Sequence, residues 1–177
     1  AFRATDLGCK VTLIDKNINL GGVCLNRGCI PSKSLLYLSH LIDETANSKN
    51  KGINFNKPII DIKKVSDWKN SIIENLSNGI SALAKKRNII VLNGSASFLS
   101  AQKLLIIDKQ NKNIEIEFDF CIIASGSYPS KLKNITTEHP GIINSTQALS
   151  INKIPEKMLI IGGGYIGLEL GSVYNSF

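Results

Sequence analysis

Histidine and cysteine are scarce in this chain. The two histidines, His40 and His139, have no recognisable carboxylate partner and are read as structural. Of the four cysteines only Cys24 and Cys29 lie close together. A structural zinc site needs further ligands at recognisable spacing, so no metal is expected. No apolar run approaches the roughly 20 residues of a membrane-spanning helix, so no membrane partner is expected. Aromatic residues are only 6% of the chain and do not interleave with the basic ones. That leaves no stacking ladder for nucleic acid. The basic balance, Lys+Arg 21 against Asp+Glu 14, comes mostly from scattered lysine. Abundant lysine, asparagine and isoleucine fit an AT-rich, eukaryotic coding sequence better than an anion-binding surface.

The 177 residues, 43% hydrophobic with a mean hydropathy of +0.05, suffice for a domain with a sizeable core. Residues 1–8 read as the last turns of a helix closed by Gly8, and 10–15 as a short strand ending in an acid. A helix is predicted over 32–45 and a loop holding Gly52 over 46–56. An amphipathic helix is predicted over 65–86 on Trp68, Ile72, Ile73, Leu76, Ile80, Leu83 and Ala84. A buried strand at 89–92 precedes an antiparallel meander at 96–99, 104–107 and 114–118, with a polar turn at 108–113. A further buried strand is predicted at 120–124 and a strand feeding a glycine-rich turn at 158–162, on either side of a polar loop at 131–140. Strands alternating with helices argue for an α/β fold with a parallel sheet. Cys9 and Cys121, each alone in an apolar run, are read as small core residues.

The most informative stretch runs from Gly21-Gly22 through Cys24, Gly28 and Cys29 to Pro31-Ser32-Lys33. Pro31 suits the first turn of a helix, and the leucines beyond it recur at helical spacing. Cys29 is therefore placed at a helix N-terminus and Cys24 in the loop before it, with Gly28 allowing the tight bend. The helix terminus favours a thiolate at Cys29. Lys33 falls on the same helix face, four residues on. A disulfide closing so short a loop is labile rather than structural. The alternatives are a zinc half-site or two unrelated buried cysteines.

A second motif, Gly162-Gly163-Gly164-Tyr165-Ile166-Gly167, contains Gly-x-Gly-x-x-Gly after an apolar run and before an apparent helix. That is the context a dinucleotide-binding turn requires, with a pyrophosphate received at the helix N-terminus. The alternative is a plain strand–helix turn. At the other end, residues 1–15 read as the second half of a dinucleotide-binding unit, with Asp15 placed to take a ribose hydroxyl. Its first strand and glycine turn are expected before Ala1, and its loss to leave an apolar slot in the sheet. The chain is therefore expected to be a fragment of a longer protein.

The cysteine segment resembles the redox site of the flavin-dependent, class I pyridine nucleotide-disulfide oxidoreductases, most closely their dihydrolipoamide dehydrogenase branch. The resemblance extends over essentially the whole chain. It implies a partial Rossmann-like FAD-binding domain over 1–148, three-layered with a small meander, and the start of an NAD-binding domain over 149–177. It implies a Cys24–Cys29 redox disulfide, with Cys24 attacking the dithiol substrate and Cys29 facing the flavin. Lys33 would lie near the flavin and pair with Glu169. Gly21 and Gly22 belong to the same signature. Asp15, Lys16, Gly94, Ala124, Ser125 and Gly126 would contact FAD. Gly162, Gly164, Tyr165, Ile166 and Gly167 would contact NAD, Tyr165 either gating the nicotinamide pocket or covering the helix start. Arg27 resembles the residue of plastid-type members, so a plastid or, second, a mitochondrial matrix is expected. The implied partners are the lipoyl domain of a 2-oxoacid dehydrogenase complex and a second subunit. The rival readings are a glutathione- or mercury-type reductase and a non-catalytic truncated product.

Overall fold

A computed structural model of the chain describes residues 1–130, 132 and 139–177, so most of the polar loop expected at 131–140 lies outside the described residues. The chain divides into two compact units, residues 1–22 with 75–126, and residues 23–74 with 127–177.

The first unit carries the sheet. Helix α1 (Phe2–Asp6) leads through Gly8 into β1 (Thr12–Asp15), which pairs in parallel with β2 (Ile90–Ser100), Thr12 opposite Ile90 and Asp15 opposite Asn93. Strands β3 (Lys103–Asp108) and β4 (Asn113–Glu117) add in antiparallel sense, giving the order β1-β2-β3-β4. The sheet is thus mixed, with a parallel β1–β2 pair and the expected antiparallel meander built on it. The strand expected at 89–92 and the first meander strand are one continuous strand, β2, because its pairing partner changes from β1 to β3 near Gly94. The turn after β3 is held by the Asp108 carboxylate, which accepts the N–H groups of Gln110 and Lys112, both at 2.8 Å. Leu20, Ala84 and Ile89 form a small core with Phe2, Val11, Leu13 and Ile80 packed on it.

The strands expected at 120–124 and 158–162 are corrected. Neither segment pairs as a strand among the described residues, and Phe120 is 94% and Leu159 87% exposed. A strand exists only as one side of a hydrogen-bonded ladder, and apolar composition alone does not supply the other side. Cys121, in the first of these segments, is exposed, and so is Cys9 just past Gly8; neither is a core residue.

The second unit is helical. Helices α2 (Gly22–Arg27) and α3 (Cys29–Asn47) are separated only by Gly28. A 3₁₀ turn (Ser48–Lys51) follows, so the first part of the expected loop is helical. Helix α4 (Ile62–Lys86) contributes its first half to this unit and its second half to the other. Helices α5 (Ser145–Ala148) and α6 (Tyr165–Ser176) complete it. Leu35, Ala148, Leu149, Ile151, Leu170, Val173 and Tyr174 form the core, with Ile62, Val65 and Phe177 against it.

The inward seam of α4 differs from the expected stripe. Trp68, Leu76 and Leu83 are exposed, whereas Lys69 and Ser77 are buried at 5% and 4% exposure. Residues 62, 65, 69, 73, 77, 80 and 84 follow the helical period, so both polar residues sit on the packed face. Each is satisfied by a main-chain carbonyl: Ser77 Oγ donates to Leu20 O at 3.1 Å and Lys69 Nζ to Leu149 O at 2.7 Å.

Candidate active site

Gly21 and Gly22 open the cysteine segment with φ of +117° and +64°, a backbone path that side chains with a Cβ rarely follow. Cys24 lies within α2, not in a loop as expected, because the chain becomes helical directly after this turn. Cys29 is the first residue of α3, and the Ser32 N–H donates to Gly28 O at 3.1 Å across the helix start. Gly28 has φ −146°, so its role is not a left-handed bend. A Cβ there would stand 3.0 Å from Val23 O and 3.2 Å from Cys24 Cα, so the residue provides room where α2 and α3 pass each other.

The cysteines are free thiols on the surface of the unit. Hydrogen bonding to the Cys29 sulfur pushes the Cys24 pKa up, and burial and the Cys29 charge add to this. The Cys29 main-chain N–H and the Lys33 ammonium pull the other way and are outweighed. Among the described residues no group of three or more His, Cys, Asp or Glu side chains that could hold a metal ion is present.

Lys33 projects from α3, one turn beyond Cys29, and forms an ion pair with Glu169 of α6. Packing between the helices brings the two together across 136 residues of sequence. Small buried serines on α3 make the approach possible, and Ser39 Oγ donates to Ser176 Oγ at 2.7 Å while Ser176 Oγ donates to Asp43 Oδ1 at 3.1 Å. The Ser32 hydroxyl reaches both the Cys29 carbonyl, at 3.2 Å, and the Glu169 carboxylate. Pairing with Glu169 holds the Lys33 pKa above the ordinary lysine range, and pairing with Lys33 holds Glu169 below the ordinary carboxylate range. The sign follows on both sides. The contact is lost in acid as pH falls through the depressed Glu169 value, and in alkali as pH rises through the raised Lys33 value. Both groups are charged at neutral pH.

The Lys33 charge also acts on both sulfurs. Lys33→Met is expected to displace the alkylation profile of Cys24 to higher pH and to slow its reaction with iodoacetamide at neutral pH, followed by peptide mass spectrometry. A profile that does not move would show that the lysine exerts no effective field on the thiol.

A cavity of about 190 Å³ opens beside this cluster. Cys29, Lys33 and Arg27 line it from α2 and α3, Tyr165 and Glu169 from α6, and Ser145 and Thr146 from α5. Tyr165 is 72% exposed at the first position of α6. The cavity thus joins the Cys29 thiol, an ion pair and an aromatic ring.

The glycine turn before α6 has two distinct parts. A Cβ on Gly162, Gly163 or Gly164 would meet nothing within 4 Å, and the Gly164 N-cap supplies no side chain to the first amides of α6. Free space over uncapped helix amides suits a phosphate oxygen. A Cβ on Gly167, by contrast, would stand 2.4 Å from Gly162 O, so that position closes the turn on the helix. Ile166 lies between, half exposed in the first turn of α6.

The other residues singled out from the sequence belong to the first unit. Asp15 ends β1, and its Oδ1 accepts both the main-chain and side-chain N–H of Asn17 at 2.9 Å. Lys16, next to it, is exposed. Gly94 lies in β2, where a Cβ would stand 2.6 Å from Ile107 O and 2.8 Å from the Ile106 side chain. Cross-strand packing is therefore sufficient reason for glycine there. Ala124, Ser125 and Gly126 are exposed.

Over residues 1–177 the sequence matches the family described as pyridine nucleotide-disulphide oxidoreductase. It is similar to the dihydrolipoyl dehydrogenase of Buchnera aphidicola subsp. Schizaphis graminum, 46% identical over 176 residues that make up 99% of this chain and 37% of that protein. The dihydrolipoyl dehydrogenase of Vibrio parahaemolyticus is 44% identical over the same shares. That of Bacillus subtilis is 41% identical over 177 residues, 100% of this chain and 37% of that protein. Among solved structures, the Cu(II) complex of the HOCl-induced flavoprotein disulfide reductase RclA from Escherichia coli superposes with a TM-score of 0.79 at 27% identity, covering 99% of this chain and 36% of that one. The chain spans 37% of the length of these curated relatives. With the whole sequence matched, and a mixed-sheet α/β structure carrying paired thiols beside a Lys–Glu pair, this chain belongs to the pyridine nucleotide-disulphide oxidoreductase family.

Proposed function

We propose that the protein of which this chain is part is a dihydrolipoamide dehydrogenase, using FAD and NAD. The observation that carries this reading is the contact of Cys24 with Cys29, and Cys29 lining one cavity together with the Lys33–Glu169 pair. The relatives named dihydrolipoyl dehydrogenase support the substrate class.

In the oxidised form the two sulfurs are bonded. A thiolate of the substrate dithiol attacks Cys24 Sγ, breaking the Cys24–Cys29 bond and releasing Cys29 as thiolate. The second substrate thiol then attacks the substrate sulfur of the mixed disulfide and releases Cys24, which takes up a proton. Two electrons and two protons leave the dithiol; one proton ends on Cys24, the other passes to solvent as the attacking thiolate forms, and the protein is left with two reduced cysteines. Lys33 stabilises the negative charge that appears on Cys29, and Glu169 keeps Lys33 charged and oriented. A bound FAD would supply the acceptor for the electron pair of the reduced cysteines, with NAD as the final hydride acceptor.

Asp15, Lys16, Gly21, Gly22, Gly94 and the Ala124-Ser125-Gly126 turn are proposed to serve the flavin nucleotide, within a domain of residues 1–148. Gly162, Gly164, Tyr165, Ile166 and Gly167 are proposed to open the NAD domain that begins at 149. The uncapped amides and open space at Gly162–Gly164 support the second assignment. The proposed partners are a lipoyl domain of a 2-oxoacid dehydrogenase complex and a second subunit. Arg27 is the support for a plastid-type compartment, and a mitochondrial signal from the tagged full-length protein would remove it.

The purified full-length protein is expected to be yellow and to reduce NAD with dihydrolipoamide. A colourless protein would overturn the flavin assignment. A yellow protein that ignores dihydrolipoamide but reduces glutathione disulfide or Hg(II) would transfer the reading to the reductase branch.

A further inference from the structure

Among the described residues Lys69 is the one charged residue that the fold buries, at 5% exposure. Lysine is almost never fully buried unless paired, because removing an ammonium from water costs several kcal/mol. Burial accordingly pulls its pKa below the ordinary lysine range. Nothing in the dithiol chemistry uses it, and it does not line the cavity.

Its surroundings define what it does. Lys69 Nζ donates to Leu149 O at 2.7 Å, and one residue earlier Tyr174 Oη donates to Ala148 O at 2.9 Å. These carbonyls end α5, where a helix leaves its last acceptors without partners. The start of α5 is fixed separately by a capping box, Gln147 N to Asn144 Oδ1 at 3.0 Å and Asn144 N to Gln147 Oε1 at 2.9 Å. So this one-turn helix is tied at its start by its own side chains and at its end by donors from α4 and α6. It needs such ties, since four residues are far too few for a helix to hold itself. Its Ser145, Thr146 and Leu149 form the cavity wall that accompanies Cys29, Lys33 and Glu169.

We propose that Lys69 is a positioning residue: through the Leu149 carbonyl it holds the α5 wall of the cavity in place beside Cys29 and the Lys33–Glu169 pair. Stability alone does not account for a lysine here. A methionine of similar length would fill the space without the desolvation cost of an ammonium, but would leave the Leu149 carbonyl without this donor. What methionine lacks is a donor aimed at one carbonyl. The inference rests on the reading of this cavity as the redox site.

The test uses the full-length holoprotein, with thermal midpoint, hydrogen exchange at residues 148–151 and turnover measured together. Lys69→Met is expected to keep a thermal midpoint within a few degrees of wild type, to speed exchange at 148–151 about tenfold, and to lower kcat several-fold at little-changed dithiol KM. Lys69→Arg, which keeps a donor, is expected to recover most of both losses. Tyr174→Phe removes the neighbouring donor, is expected to act in the same direction, and decides the matter if Lys69→Met does not fold. Wild-type exchange at 148–151 in both donor-removing variants would overturn the proposal, as would a kcat loss without any change in exchange there. If wild-type protein fails to oxidise dihydrolipoamide, the functional reading falls, while exchange at 148–151 still decides whether Lys69 holds α5.

Discussion

Cys24→Ser in the full-length protein is expected to lower dihydrolipoamide oxidation by on the order of a thousandfold or more, the scale reached when a nucleophile that acts as part of a unit is removed. Cys29→Ser is expected to cost as much, since neither variant can form the bridge. The two differ in spectrum. In the present geometry Cys29 begins a helix, one turn from the Lys33 ammonium, whose charge acts on it. With Cys24 removed, Cys29 remains in the field of Lys33, and a long-wavelength charge-transfer band with bound flavin is expected to be kept or strengthened. With Cys29 removed, the band disappears, although Cys24 is still present as a thiol. Absorption spectra of the two purified variants decide the roles. Equal spectra would refute the assignment of Cys29 as the sulfur that faces the flavin, even if both variants were inactive.

The local part of this site is readable from residues close together in sequence. Gly21 to Lys33 is thirteen residues long, and its helix start, its proline in the first turn and its lysine one turn on follow from spacing. What spacing does not reveal is anything requiring a partner from elsewhere in the chain. The Lys33–Glu169 contact spans 136 residues and is suggested only by resemblance to a family. Segments 120–124 and 158–162 have the composition of buried strands, yet pairing is a property of two segments, and the described residues leave both exposed. Cys121 goes with the first of them. Lys69 escapes for the opposite reason: a charged residue is by default assigned to the surface, although 65, 69 and 73 share one face of α4. Its period is visible in the sequence, but the carbonyl that receives it is not. Gly94 is a subtler case. It is singled out only by the resemblance, and β3 crowding against it is sufficient cause for glycine without any nucleotide.

The glycine turn before α6 allows fold and ligand to be separated by two substitutions three residues apart. Gly167→Ala would place a Cβ 2.4 Å from Gly162 O and 3.2 Å from the Ile160 side chain. The oxygen is main chain and cannot rotate away, so the turn must open or the helix must shift. Overpacking of this kind typically costs about 1–3 kcal/mol, and a rigid backbone neighbour puts this site at the upper end. A lower thermal midpoint and weaker NAD binding are both expected. Gly164→Ala meets nothing within 4 Å, and its φ of −74° suits alanine, so the fold itself offers no resistance. Yet a methyl group there would stand over the uncapped amides of α6, where a pyrophosphate would have to approach. An unchanged midpoint with an NAD KM raised about tenfold, or ~1.4 kcal/mol, is the expected result. Wild-type KM in Gly164→Ala would mean that no phosphate comes close to this turn, leaving Gly167 to be explained by strand–helix packing alone. Loss of stability in Gly164→Ala would mean that the turn is closed by contacts other than the one at Gly167.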